Sequence, residues 1–258
     1  MIVDSHCHLD FEVLKKDLEG VIQRAKENNV CVMQTICTKI SEFESIYDIT
    51  RANKEIFCSI GNHPLNLEDE PIATADTILS YTHRDKVIGI GETGLDYYYT
   101  QSNKEVQKKS FAEHIITAQE SSLPIIIHTR KAEKDTMDIL QLHMAKKQFS
   151  GVIHCFTADI WFAKECLDMG LYISASGIIT FQNARNIQKT FKEIPLNKIL
   201  IETDAPYLSP SPMRGKSNEP SYLKYTAKFM AALLGIDLKH FIDTTTKNFF
   251  SLFNKSKV

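Results

Sequence analysis

Apolar residues fall into short runs separated by longer amphipathic stretches. The runs are Ile2 to Ser5, Val30 to Cys37, Ile56 to Ile60, Val87 to Gly91, Pro124 to Ile127, Gly151 to Ile153, Leu171 to Ala175 and Ile199 to Thr203. They are nearly continuously hydrophobic, the pattern of parallel strands covered on both faces. Between them apolar residues return at helical spacing, as in Leu14, Leu18, Val21, Ile22 and Ala25, or Phe111, Ile115 and Ala118. Further helices are predicted over Lys131 to Lys147, Ile160 to Met169, Gln182 to Phe191, Ser221 to Leu234 and Leu238 to about Phe253. Eight such runs alternating with helices in 258 residues predict an α/β fold, a single (β/α)8 TIM barrel spanning 1–258. The competitor is an open doubly wound sheet. No G-x-G-x-x-G turn follows the first strand, so that sheet lacks its dinucleotide fingerprint.

A barrel places its chemistry at the C-terminal ends of the strands. The polar residues there are His6 and His8 in "DSHCHLD", His63 in "IGNHP", Glu92 and Asp96 in "IGETGLD", His128 and Arg130 in "IIHTR", His154 in "VIHCF" and Asp204 in "IETDAP". Five of nine histidines therefore sit in windows that make up only about a tenth of a barrel, where chance would put roughly one. The other four (His83, His114, His143, His240) read as exposed or ordinary structural residues. In extended backbone His6 and His8 point the same way and Cys7 points away, so two imidazoles aim at one place and need a shared partner; a divalent metal is one. His128 and His154 close adjacent strands and are placed to converge on a second ion about 4 Å from the first. Cys155, of opposite parity, is expected in the core.

Glu92 and Asp204 are carboxylates in buried segments, costly to leave ionised without a counter-charge. Glu92 is placed to bridge two ions, and Asp204, beside strand one in a closed ring, to join His6 and His8. A turn aspartate before Pro206 is the plainer reading of Asp204. Asp96 either supports a ligand from behind or caps the following loop. Glu202 points inward and predicts an ion pair whose partner the sequence does not show. His63 is expected as a general acid or substrate contact, or as a turn residue before Pro64. Arg130 is placed to clamp an anionic oxygen unless it is a surface arginine opening a helix. Arg214, Lys216 and Glu219 lie in "PSPMRGKSNEP", after strand eight, where barrels often bind phosphate.

Composition narrows the partners. With 43% hydrophobic and 24% charged residues and a formal charge of −2, the chain is an ordinary globular protein without a broad basic face for gripping duplex nucleic acid. Bound metal ions would add positive charge that composition does not count. The longest apolar runs, such as "PIIIHT" and "KILIET", fall far short of the roughly 18 residues of a membrane span. "MIVDSHCHLD" does not read as a signal peptide, and the six cysteines form no C-x-x-C pair, so a cytoplasmic protein with reduced thiols is expected. No membrane association and no stable protein partner are expected.

"DSHCHLD", "SIGNHP", "IGIGETGLDYY", "PIIIHTRKA", "GVIHCFT" and "IETDAPYLSP", followed by "RGKSNEP" and "KNFFSLF", together resemble the TatD family of metal-dependent deoxyribonucleases, over Val3 to about Phe253. The resemblance implies a (β/α)8 barrel with a two-metal site, one ion held by His6, His8 and Asp204, the other by His128 and His154, with Glu92 shared. Glu92 stands where many amidohydrolase barrels carry a carboxylated lysine, and Ser217 where the family often has a second arginine. The expected activity is cleavage of DNA phosphodiesters from strand ends by a metal-activated water. Asp204 and Glu92 would act at the metals, His63 at the leaving group, and Arg130, Arg214 and Glu219 on the substrate. The expected cofactors are two divalent ions: imidazole and carboxylate donors favour Zn, Mn, Fe or Ni over Mg, which the resemblance associates with the activity. Two alternatives keep the fold: a two-metal hydrolase of small-molecule or aminoacyl esters and amides, or a non-catalytic metal-binding barrel.

Overall fold

A computed structural model describes residues 1–100 and 103–256. The eight apolar runs are eight parallel strands: β1 (Ile2–Cys7), β2 (Val30–Thr35), β3 (Ile56–Ile60), β4 (Val87–Asp96), β5 (Ile125–Arg130), β6 (Gly151–Ile153), β7 (Tyr172–Ala175) and β8 (Ile199–Ile201). They hydrogen-bond in sequence order. The exit of β8 returns to β1 through a Cys7–Ala205 bridge. There the His8 amide donates to the Ala205 carbonyl at 2.8 Å and the Asp204 amide to the His6 carbonyl at 2.9 Å. The ring is nearly closed.

Parallel neighbours need crossovers, and helices supply them: α1 (Glu12–Lys15), α2 (Leu18–Glu27), α3 (Phe43–Ala52), α4 (Ala75–Leu79), α5 (Lys104–Ser121), α6 (Glu133–Met144), α7 (Ile160–Asp168), α8 (Arg185–Glu193), α9 (Leu223–Leu234) and α10 (Leu238–Leu252). Aspartates start two of them, Asp159 accepting from the Phe162 amide and Asp237 from the His240 amide. Among the described residues no helix is long and apolar enough to cross a membrane. One large core lies between strands and helices. A second fills the barrel floor, where Phe249, Leu252 and Phe253, at the end of α10, meet Val3, Val32, Phe57, Ile88, Ile126, Val152 and Leu200.

Two strands differ from the sequence pattern where it matters. β4 continues past Glu92 to Asp96, over residues expected to form a loop. Its glycines make this possible: Gly91 and Gly94 both have φ of +135°, and a Cβ on Gly94 would lie 2.0 Å from the His128 carbonyl oxygen. The strand therefore hugs β5, pairing Gly94 with His128 and Asp96 with Arg130. β8 stops early instead, at Ile201, and β6 ends at Ile153 as expected, short of His154. Cys155 and Asp204 then adopt left-handed backbone, with φ of 44° and 57°, so turns and not strand parity aim His154 and Asp204. Cys155 is accordingly only partly buried, not in the core as expected, with its Sγ 3.2 Å from Ser176 Oγ.

Candidate metal centre

Glu92 is the hub of the mouth. Its Oε1 lies 2.7 Å from His154 Nε2, 3.1 Å from His128 Nδ1 and 3.4 Å from His63 Nε2, and its Oε2 lies 3.3 Å from His6 Nε2. Asp204 Oδ1 approaches His8 Nε2 at 3.4 Å and His6 Nε2 at 3.7 Å. Strand ends separated by almost 200 positions thus converge on one place. Three sets of donor atoms each lie within 4.8 Å of one another: His6, His8 and Glu92; His63, Glu92 and His128; and His6, His154 and Glu202.

Carboxylates behind the rings fix which nitrogen faces the centre. His128 Nε2 is 3.0 Å from Asp96 Oδ2, and Asp96 Oδ1 accepts from the Tyr98 and Tyr99 amides at 2.9 and 3.1 Å. Asp96 therefore does both things expected of it, backing a histidine and capping the loop. Glu202 finds its partner in His154, whose Nδ1 is 3.4 Å away, and is steadied by the Cys155 amide at 2.6 Å. With an ion bound and protons held on these outer nitrogens, His128 Nδ1 and His154 Nε2 would turn lone pairs to the centre. His63 is wired the other way. Its Nδ1 accepts from the Leu65 amide at 3.1 Å, so the neutral ring carries its proton on Nε2 and faces Glu92 as a donor.

The charge state follows from this crowding. Burial alone would raise the Glu92 carboxyl, but His154, His63 and His6 and the hydrogen bond with His128 hold it well below the usual carboxylate range. Asp204 is lowered in the same way: burial is outweighed by the hydrogen bond from His8 and the charges of His6 and His154. Burial drives His63 down to about 3, against the pull of Glu92 and helped by His128. His6 Nδ1 and Nε2, His8 Nδ1 and His154 Nδ1 are buried without a hydrogen-bond partner. His6 Nε2 is close to Glu92 but lacks hydrogen-bond geometry. Buried imidazole nitrogens without a partner are costly by themselves, and a divalent cation among mixed N and O donors removes that cost. The residues fit such an ion.

The remaining predicted residues are distributed unequally. Arg130 ends β5 with its guanidinium 4.1 Å above the Tyr98 ring and 4.7 Å above Tyr99. Arg214 lies 3.9 Å over Phe181, beside a cavity of about 430 Å³ that Gln182, Asn183 and Ser211 also line. Glu219 is not brought to the cluster. Its carboxylate pairs with Arg24 of α2, with Nε at 3.0 Å and Nη2 at 2.8 Å, and accepts from Ser221, so it tethers the loop after β8.

Two supporting residues escaped the sequence reading. Buried Asp4 accepts from Thr203 N at 2.9 Å and Thr203 Oγ1 at 2.6 Å; burial, opposed by these bonds, raises its carboxyl to about 7. Asn218 Nδ2 ties the Thr203 carbonyl at 2.9 Å to the Tyr207 carbonyl at 2.6 Å, bracketing the left-handed Asp204 turn. An acid inside the apolar run of β1 was the one available signal for Asp4. Asn218 had none.

A parallel barrel whose strand ends gather imidazoles around buried carboxylates defines the class of metal-dependent hydrolases. Comparison gives the family: the model for "TatD related DNase" matches residues 3–254, and the chain belongs to the TatD family. It is 44% identical to an uncharacterized metal-dependent hydrolase of Buchnera aphidicola, covering 98% of this chain and 99% of that one. It is 31% identical to the human deoxyribonuclease TATDN3, over 98% and 95%. Among solved structures, the TatD homolog YjjV of Escherichia coli superposes with a TM-score of 0.91 at 25% identity, covering 98% of both chains. The protein is a TatD-type metal-dependent hydrolase.

Proposed function

We propose that this hydrolase is a deoxyribonuclease that cleaves DNA phosphodiester bonds from strand ends. The observation that carries the reading is the convergence of His6, His8 and Asp204 with His128 and His154 around the shared Glu92. His6, His8 and Asp204 would hold one divalent ion and His128 and His154 a second, with Glu92 between them. Bound there, the ions supply Lewis acidity and a water that ionises near neutral pH.

The chain's own groups do the rest. Asp204, held ionised beside His8, accepts the proton from the attacking water. Asp96 and Glu202 keep the His128 and His154 rings in register from behind. His63 serves as a neutral hydrogen-bond donor to the leaving oxygen through Nε2, because Leu65 occupies its other nitrogen. Arg130 and Arg214, already stacked on aromatic rings, offer N–H groups to phosphate oxygens. The family match and the human deoxyribonuclease relative support DNA as the substrate.

The test is incubation of metal-reconstituted protein with single- and double-stranded DNA, RNA and a panel of carboxylic esters and amides, with a chelator control. Chelator-sensitive release of nucleotides from DNA ends is expected. Turnover of esters alone, with DNA untouched, would replace this reading by that of a small-ester hydrolase.

A further inference from the structure

The rim above the cluster carries two aromatic walls that the roles assigned so far leave unused. Tyr98 and Tyr99, just after β4, are 57% and 64% exposed, and Tyr207, after β8, is 55% exposed. None of the three is loose. The Tyr98 and Tyr99 amides are fixed on Asp96, their rings meet edge to face at 4.9 Å, and the Arg130 guanidinium covers both. On the other side, Phe11 stacks on the His8 imidazole at 4.6 Å. Tyr207 meets Phe11 edge-on at 6.1 Å and His8 at 6.5 Å.

The two walls stand on opposite sides of the ring. The first stands at β4 and β5, the second at the β8–β1 closure, half-way round a ring of eight strands. Asp96 and His128 tie the first to the cluster; His8 and Asp204 tie the second. Each offers a planar, partly exposed ring surface at the height where a substrate must enter.

We infer that the walls are stacking subsites for the two nucleobases that flank the scissile phosphate, one base on Tyr98 and Tyr99 and the other on Tyr207 and Phe11. This rests on the deoxyribonuclease reading and deepens it. The unit recognised is ring–phosphate–ring, with the anionic centre over the metal ligands. Every base has a π face, so such subsites grip strands without reading sequence, and Arg130 adds a cation to one face. An ester with a single ring would leave one wall empty.

The experiment measures KM and kcat of the metal-loaded protein on a short deoxyoligonucleotide and on two copies with an abasic residue on one or the other side of the cleaved bond. Tyr99→Leu and Tyr207→Leu should each raise KM for the intact strand about tenfold, more than they lower kcat. Tyr99→Phe and Tyr207→Phe should restore the parental KM, since the ring and not the hydroxyl stacks. Each abasic strand should raise KM for the parent and lose nothing further with the leucine variant of the wall it no longer fills. Parental KM in the leucine variants, or phenylalanine variants as poor as leucine, would overturn the stacking walls while leaving the nuclease standing. An intact strand that the parent leaves uncut while carboxylic esters are turned over removes the nuclease reading and the walls with it.

Discussion

The two ends of this barrel solve opposite problems. At the floor, Phe249, Leu252 and Phe253 close the ring against apolar side chains of the strands, and stability comes from excluded water and close contact. At the mouth, buried imidazoles crowd two carboxylates, several nitrogens have no hydrogen-bond partner, and Asp204 sits in left-handed backbone. The floor is relaxed as it stands. The mouth is not: its groups are arranged for something absent from the protein itself. The comparison separates what holds the fold from what the fold holds, and it can be tested from both ends.

The largest contrast is at the mouth. His128→Ala or Asp204→Asn should lower turnover by a factor of at least about 1,000, while the metal-free protein keeps its melting temperature to within about 4 °C. A variant of either kind with parental turnover would remove that residue from the mechanism. The reverse is expected at the floor. Phe249→Ala should destabilise the chain by about 3–5 kcal/mol, read by denaturant unfolding, with the metal content of the folded protein unchanged. Loss of metal in the folded Phe249→Ala protein would show that the two ends are coupled.

A smaller effect is expected at His114, on α5 against the loop after β3. It is buried, and its Nε2 accepts from the Asn62 amide at 3.0 Å while Nδ1 lies 2.7 Å from the Ser110 carbonyl. Burial lowers it to about 4, opposed only by the Ser110 carbonyl. The unfolded chain takes up this proton near pH 6.5 and the folded chain only near 4, so stability falls as pH drops through that window. The loss is at most about 3 kcal/mol. His114→Gln should flatten that part of the parent's stability–pH profile; an identical slope in both proteins would show that His114 does not set it.

The outline of both regions was legible in the sequence for one reason: strands buried on both faces leave an unbroken apolar signature, and polar residues that interrupt it at the strand ends stand out. His6, Glu92 and His128 lie on strands and His8 follows β1 directly, so their place at the strand ends could be read from the apolar runs. What escaped depends on backbone irregularity or on distant partners. The length of β4 was hidden because glycine reads as a loop, whereas here it allows close approach to β5. Asp204 was placed beside the right histidines because strand eight neighbours strand one in a closed ring, but its aim was not legible, since β8 ends at Ile201 and a left-handed turn directs the side chain. Glu219 looked like a substrate group because nothing local shows that Arg24, far earlier in the chain, engages it. Glu202 and Asp4 were hard to interpret for the same reason.

The backbone at Asp204 also limits what can replace it. At φ of 57° only glycine, asparagine and aspartate are at ease, and of these only aspartate carries a carboxyl group. A glutamate there would keep the acid and lose the turn. Asparagine and glycine, by contrast, keep the turn and lose the acid, so these two exchanges lead to a barrel that folds normally and has lost its base. Descendants of this gene can therefore fall silent as enzymes without ever passing through an unstable protein.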